Sequence, residues 1–552
     1  MQEEDNKDLK RWQIWLPTLV AAALVIGMYT GLKLSENQPL VIKEEPIDDG
    51  QSLGYGRIEE LVRYIDAKYV EDVESEDLVE TAIEELLRQL DPHSSYISKE
   101  ELREVNEQLQ GNFDGIGIEF MLLDDTIVVV SPLNGGPSEI AGILTGDKIV
   151  QVEDSIIAGK NLNSDEIVEY LRGEKGTKVT LGILRGGADN IKKFTVTRDK
   201  IPTNSVDAHF MVDNKTGMIK VNRFSATTYE DFMKSLEDLV ENKGMENLII
   251  DLRQNPGGYL QEATNILSQL FDERGKLLVY TEGRNVRRAD YETSGGNFFD
   301  VKKIAVLLDE GSASASEILA GAIQDWDRGT IIGRRSFGKG LVQEQYKLSD
   351  GSALRLTVAR YYTPSGRCIQ RDYSNEEVYE DDFHARFESG ELETGELPEH
   401  ADTTKFYTAG GRIVYGGGGI SPDVFVPLDT IIYNEDYLLL RQESSPFIFK
   451  WYEQHRGELA YATPEEFINK FKVSDQLYEE FLAFARQNEV DITAGRLSKV
   501  EKQLRQFLKA RLGKHLFDDN VLFHVLANND PFVDAALNSF KNASILPIVE
   551  MN

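Results

Sequence analysis

The sequence predicts a multidomain α+β protein: an α/β core carrying a small inserted β domain, preceded by one transmembrane helix and followed by a helical extension. Three observations predict it. At 552 residues the chain exceeds an ordinary single domain. An uncharged run near the N-terminus is followed by apolar spacing that changes from helical to strand-like and back. In the middle, buried-type strands such as Asn247-Leu-Ile-Ile-Asp-Leu-Arg253 and Lys303-Ile-Ala-Val-Leu-Leu-Asp309 alternate with amphipathic helices, the pattern of a layered sheet.

From Trp12 to Leu32 lie 21 residues without a charge, enough to cross a bilayer core of roughly 30 Å. Lys7, Lys10 and Arg11 precede the run, and Trp12, Trp15 and Tyr29 sit near its ends. The small residues Ala21-Ala22-Ala23 fall in its middle rather than at a cleavage position, so an uncleaved anchor is expected. The basic flank assigns residues 1–11 to the cytoplasm, the span to 12–32 and the bulk of the chain to the other side. Residues 33–54, with Pro39, Pro46 and paired acids, read as a linker. A net charge of −34 leaves no basic face for phosphates and excludes nucleic acid as a partner. The lone Cys368 excludes an intramolecular disulfide.

Residues 55–110 read as helical: Ile58, Leu61, Val62 and Ile65 share one face, as do Val79, Ile83, Leu86 and Leu87. The break Leu90-Asp-Pro-His-Ser-Ser-Tyr96 separates helices, and its His93 reads as structural. From 111 to 199 short strands and turns take over: Gly111-Asn-Phe-Asp-Gly-Ile-Gly-Ile-Glu-Phe120, then Thr126 to Val130, then Ala141-Gly-Ile-Leu-Thr-Gly-Asp-Lys-Ile-Val150. This order resembles a PDZ domain. The resemblance implies that Gly115, Ile116, Gly117 and Ile118 form the loop whose N–H groups take a peptide's terminal carboxylate.

Residues 200–428 carry the chemistry. Gly217 to Phe224 reads as a strand, Tyr229 to Val240 as a helix, and the strand ending at Arg253 runs into Asn255-Pro-Gly-Gly258. After the strand ending at Asp309 comes Gly311-Ser-Ala-Ser-Ala-Ser-Glu317, and Ile318, Leu319, Ala322 and Ile323 then mark a helix face. A serine at such a strand-to-helix turn projects sharply, with helix N-terminal amides near a developing oxyanion. The competing reading is a capping box, Ser314-x-x-Glu317. Lys339, in Ser336-Phe-Gly-Lys-Gly340, tilts the balance. A lysine base must be neutral near pH 7, which disfavours its ammonium by roughly 4 kcal/mol and requires burial. If Leu341 to Tyr346 is a strand, Gln343 shares a face with Lys339 and can hold the amine. Sequence alone does not choose among Ser312, Ser314 and Ser316. The seven histidines have no metal-ligand spacing, so neither metal nor organic cofactor is expected. Gly416 to Gly419 lacks the residues of a phosphate loop and reads as a flexible turn.

These segments, with Asp251-Leu-Arg-Gln-Asn-Pro-Gly-Gly258, Tyr362-Thr-Pro-Ser-Gly366 and Gly418-Gly-Ile-Ser-Pro-Asp423 in the same order, resemble the carboxyl-terminal processing, or tail-specific, serine proteases over about residues 55–428. The resemblance implies a Ser-Lys protease core: Ser314 as nucleophile, Lys339 as general base and Gln343 orienting the lysine. It implies an oxyanion hole from Ala315 and either Gly257 or Gly258, and Arg172 as an activation sensor. The substrates it implies are proteins or peptides with free C-termini, cleaved on the extracytoplasmic, bacterial periplasmic side of the membrane that anchors the chain. The alternative is an anchored PDZ scaffold with a vestigial site.

Two segments depart from that pattern. From Ser374 to His400 there are ten acidic residues against one arginine, Arg386, which reads as a solvated loop. Residues 429–552 read as helical, with Thr463-Pro-Glu-Glu466 opening one helix and Leu477, Phe481 and Phe484 lining another. Interaction or oligomerisation is the default role for that extension, and a homo-oligomer or an adaptor is the partner to look for.

Overall fold

The structure, a computed structural model, describes residues 55–186, 190–396 and 404–541. The expected transmembrane span 12–32 and linker 33–54 lie outside the described residues. Among the described residues no helix is long and apolar enough to cross a membrane. The described residues divide between 82 and 83 into two compact units. In the first, Ser75 Oγ at the start of a helix donates to Asp66 Oδ1 of the helix Tyr55–Lys68, at 2.9 Å.

The second unit is built around a six-stranded sheet in the order Val206–Met211, Thr216–Val221, Asn247–Asp251, Lys303–Leu308, Thr330–Gly333 and Val424–Phe425. Its first pair is antiparallel and the rest parallel, so the inner strands are buried on both faces and read as continuous apolar runs. The crossover helices Thr228–Glu237, Leu260–Gln269 and Ala315–Asp325 cover one face through a core that includes Phe232, Ile266 and Leu319. The first of these widens into a π-turn over Asp238–Asn242. The other face is covered by Asp519–Ala527 and Pro531–Lys541, whose Phe532, Val533 and Phe540 pack on Ile249, Leu307 and Ile332.

A second, five-stranded sheet is built around Ala353–Tyr362. Leu341–Lys347 and Ser95–Ile97 both pair antiparallel with Ala353–Tyr362. Thus part of the 90–96 segment, expected to be only a break between helices, is an edge strand. The β domain has the order Ile118–Leu123, Thr126–Pro132, Lys148–Val152, Lys178–Leu184, Lys192–Thr197, with the helix Ser164–Leu171 packed through Ile167 and Leu171. Ile118–Leu123 is its open edge. The domain joins the core through an antiparallel pair, Asn112–Gly115 with Asp199–Pro202.

Two expectations need correction. The acidic segment is not a solvated loop: it forms helices Asp382–Glu388 and Glu391–Thr394, with Arg386 and Glu391 buried. Arginines from outside it match its carboxylates: Glu391 takes Arg335 at 2.7 Å, beside the segment's own Arg386 at 3.0 Å, and Asp382 takes Arg371 at 2.7 Å. Counting charge along the segment misses those partners. The glycine run 416–419 is not a free turn either. Gly417 N donates to Cys368 O at 2.8 Å and Gly419 N to Ile369 O at 2.9 Å, which fixes the run against neighbouring chain. In the extension, Thr463 caps Pro464–Lys470, and Leu477 and Phe481 of Asp475–Gln487 are buried in its own core.

Candidate active site

The buried strand Lys303–Leu308 delivers the serine cluster to the carboxyl end of the central sheet. There the three serines part company. Ser312 Oγ donates to Leu252 O at 2.8 Å, and Ser316 Oγ donates to Asn255 O at 3.0 Å; both residues are fully buried. Ser314 is only partly buried and makes no side-chain capping hydrogen bond. Its backbone has φ 54 and ψ −113, a costly conformation for a residue with a Cβ, which turns the side chain out ahead of the helix.

The cap is supplied by Glu317. Its buried carboxylate accepts from Ser314 N at 2.8 Å, Gly338 N at 2.7 Å, Lys339 N at 2.9 Å and the Ser336 hydroxyl. Burial pushes this carboxyl up to about 7, against the pull of those four donors. One side chain thus pins the serine turn to the lysine loop. Tyr361 does the same from the second sheet: its hydroxyl donates to Lys339 O at 2.6 Å, with Ser314 O 3.1 Å away.

Lys339 Nζ donates to Gln343 Oε1 at 2.9 Å. Gln343 lies in the strand Leu341–Lys347, where the pairing with Ala353–Tyr362 shifts by one residue between Val342 and Gln343. Its amide in turn donates to the backbone carbonyl of His93, so the 90–96 segment reaches the site through its main chain. Burial lowers the Lys339 amine below the ordinary lysine value; Arg355 adds to this, against Asp91 and Glu317. Burial, with Lys339, also lowers the His93 imidazole to about 4, leaving it neutral beside the Tyr379 hydroxyl at 2.5 Å.

The Asn255-Pro-Gly-Gly258 turn faces the same point. Asn255 Oδ1 accepts from Gly257 N at 2.9 Å, and Asn255 O accepts from Ala313 N at 3.0 Å. Only glycine fits: a Cβ on Gly257 would lie 2.7 Å from Ser314 Cβ and 2.8 Å from Ala315 N, and one on Gly258 2.1 Å from Phe224 O. Behind this turn, Arg253 makes a bidentate pair with Asp251, Nε to Oδ1 at 2.8 Å and Nη2 to Oδ2 at 2.7 Å. Burial raises the Asp251 carboxyl, but Arg253 and Lys220 outweigh it and hold it below the usual carboxylate range. The third Arg253 nitrogen pairs with Asp530 at 2.8 Å, and its guanidinium lies 4.6 Å from the Phe532 ring centre.

Ser314, Ala315, Gly257, Gly258, Lys339 and Gln343 therefore come together. Gly115, Ile116, Gly117, Ile118 and Arg172 meet elsewhere, lining a groove with Phe120 and Val168. Arg172 is not brought to the serine: it pairs with Glu107 of Lys99–Gln110 at 3.1 Å and lies 5.0 Å from the Phe113 ring centre. The sequence had offered Glu317 only as a cap partner, and it had offered no role for Tyr361, Asp530 or Phe532. Among the described residues no group of three His, Cys, Asp or Glu is placed to hold a metal.

Residues 215–379 match the peptidase family S41, 115–197 a PDZ domain, 19–101 the N-terminal domain of the activating protease CtpB, and 437–518 a family of unknown function. A carboxy-terminal-processing protease of Bartonella bacilliformis is 37% identical over 434 residues, 76% of this chain and 96% of that protein. The chain belongs to the carboxy-terminal-processing proteases of family S41. The carboxy-terminal processing protease CtpB of Bacillus subtilis is 35% identical over 62% of this chain and 72% of its own. A probable CtpA-like serine protease of Staphylococcus aureus is 34% identical over 65% of this chain and 71% of its own. This S41 protease is thus a serine-type peptidase with a PDZ domain, and the reading as a peptide-binding scaffold with an idle site falls away.

Proposed function

We propose that this S41 protease docks the C-terminal tail of a protein substrate at Gly115–Ile118 and cleaves peptide bonds by acyl transfer at Ser314. Neutral Lys339 takes the Ser314 proton as the oxygen attacks a peptide carbonyl, then gives it to the amine that leaves as the C–N bond breaks. Water, deprotonated by Lys339 in turn, hydrolyses the resulting ester and frees Ser314. The oxyanion meets the N–H groups of Ala315 and Gly258, because the Gly257 N–H is already taken by Asn255. The observation that carries this reading is the buried Lys339 amine, lowered and held by Gln343 on a loop tied to the Ser314 turn by Glu317. Arg172, at the end of the groove helix and paired with a core helix, couples tail occupancy to the core. The uncharged run 12–32 with its basic flank supports a single-pass anchor with the catalytic bulk on the extracytoplasmic, periplasmic side.

The test is to incubate the chain with peptides bearing free or amidated C-termini and identify products by mass spectrometry. Internal cleavage of the free form, with much weaker cleavage of the amidated form, is expected. Equal cleavage of both would remove the tail-docking step, and no cleavage of either would remove the proposed mechanism.

A further inference from the structure

Next to the tail groove a larger cleft, about 870 Å³, opens between the PDZ domain and the C-terminal extension. The two spaces share Phe113, Gly117, Ile118 and Phe120, so a tail held at the carboxylate loop enters the cleft as it leaves the groove. One wall is the open-edge strand Ile118–Leu123; the other is formed by the helices Glu435–His455 and Ala494–Leu516. Ile448, Phe449 and Tyr452 recur at helical spacing on the first, and Arg511, Lys514 and His515 on the second, so each helix turns one stripe toward the cleft.

The charges on that wall are not all committed. Lys514 pairs with Glu119 and Asp519, each at 3.0 Å. His515, lowered by burial and set edge-on to Phe449 and Tyr452, is neutral. Arg456 and Arg511 also line the cleft, as do Glu119, Asp518 and Asp519. Glu119 and Asp519 act on Arg511 at longer range, but among the described residues no ion pair joins a carboxylate to either guanidinium. Arg511 rests 5.1 Å from the Phe507 ring centre and Arg456 5.9 Å from that of Tyr452. The Arg511 Nε is buried with no hydrogen-bond partner. Two guanidiniums without a direct ion-pair partner leave the cleft able to take carboxylates beyond those it already holds.

We propose that this cleft reads acidic residues in the substrate tail, Arg456 and Arg511 receiving side-chain carboxylates a few positions before the terminal carboxylate. The inference rests on the tail-docking reading above and narrows it to a substrate class: polypeptides whose last residues are preceded by Asp or Glu. The terminal carboxylate goes to backbone N–H groups, the upstream acids to guanidinium forks on the extension.

The test measures binding by fluorescence anisotropy to the full chain carrying Ser314→Ala, which keeps the peptides intact. Three synthetic peptides are compared: one with upstream Asp and Glu and a free C-terminus, its Asn and Gln isostere, and the acidic peptide with an amidated C-terminus. The acidic peptide is expected to bind about fivefold more tightly than the isostere, as two partly exposed charge pairs allow. Adding Arg456→Gln and Arg511→Gln removes that preference and leaves the isostere unchanged, whereas Lys at both positions retains most of it. Arg456→Gln alone, on an exposed side chain, halves the preference and decides the matter if the double variant does not fold. Equal binding of acidic peptide and isostere overturns the proposal, as does a preference that survives the double variant. An unchanged acid preference with no effect of amidation overturns tail docking while retaining the cleft as an acidic-peptide site.

Discussion

The two faces of the central sheet support the same catalytic strand ends in different ways. On one face the helix Ala315–Asp325 follows directly from Ser314, and Glu317 lies one turn into it, so the support is contiguous with that serine. On the other face the support comes from more than two hundred residues away: Phe532 packs between Arg253 and Arg334, 4.6 and 5.3 Å from its ring centre, and Asp530 closes the third side of Arg253. The difference teaches that the extension is part of the catalytic core rather than an appendage. The strand ending at Asp251 runs through Arg253 into the glycine turn against Ser314, so whatever holds Arg253 also holds one wall of the site.

Four substitutions can break or sharpen that comparison. Phe532→Ala is expected to cost about 3–5 kcal/mol of unfolding free energy, the usual toll of emptying a buried aromatic site. Urea denaturation measures it, and a loss of only a few tenths would show that the two faces are not equivalent supports. Asp530→Asn keeps the shape but withdraws a charge from Arg253; about 1–3 kcal/mol is expected, with a fall in kcat larger than the change in KM. Wild-type kcat in that variant would confine Asp530 to stability. On the opposite face, Tyr361→Phe removes the hydroxyl between Lys339 O and Ser314 O and should cost about 1 kcal/mol. A matching fall in turnover would show that loop spacing matters beyond stability.

The smallest effect is electrostatic. Because burial lowers Lys339, the folded chain binds that proton less tightly than the unfolded chain. This group therefore costs stability as pH falls from the ordinary lysine value through the folded one, and activity rises with pH through the folded value as the amine becomes neutral. Arg355 lowers the amine further, so Arg355→Gln should move the rising limb of kcat/KM to higher pH. An unmoved limb would mean that another group governs it.

Much of this architecture was legible in the sequence because it is written locally. The apolar runs of the central strands, the glycine-bounded lysine and the strand-to-helix placement of the serines are short-range signals. What escaped depends on partners distant in the chain. Ser312 and Ser316 are set apart from Ser314 by carbonyls of Leu252 and Asn255 that consume their hydroxyls. Glu317 looks like a cap partner until Gly338 and Lys339 arrive from another loop. The acidic segment looks solvated until Arg335 and Arg371 are brought to it. Asp530 and Phe532 sit in an ordinary amphipathic stretch, with nothing nearby to announce that Arg253 needs them.

The central claim is that Ser314 is the nucleophile and that Lys339 acts through it. The direct measurement is cleavage of an unfolded tail-bearing protein by the full chain, by Ser314→Ala and by Lys339→Ala, with thermal melts confirming that each variant is folded. The account predicts cleavage by the parent and none by either folded variant. Turnover at the parent's rate by folded Ser314→Ala or Lys339→Ala would contradict it.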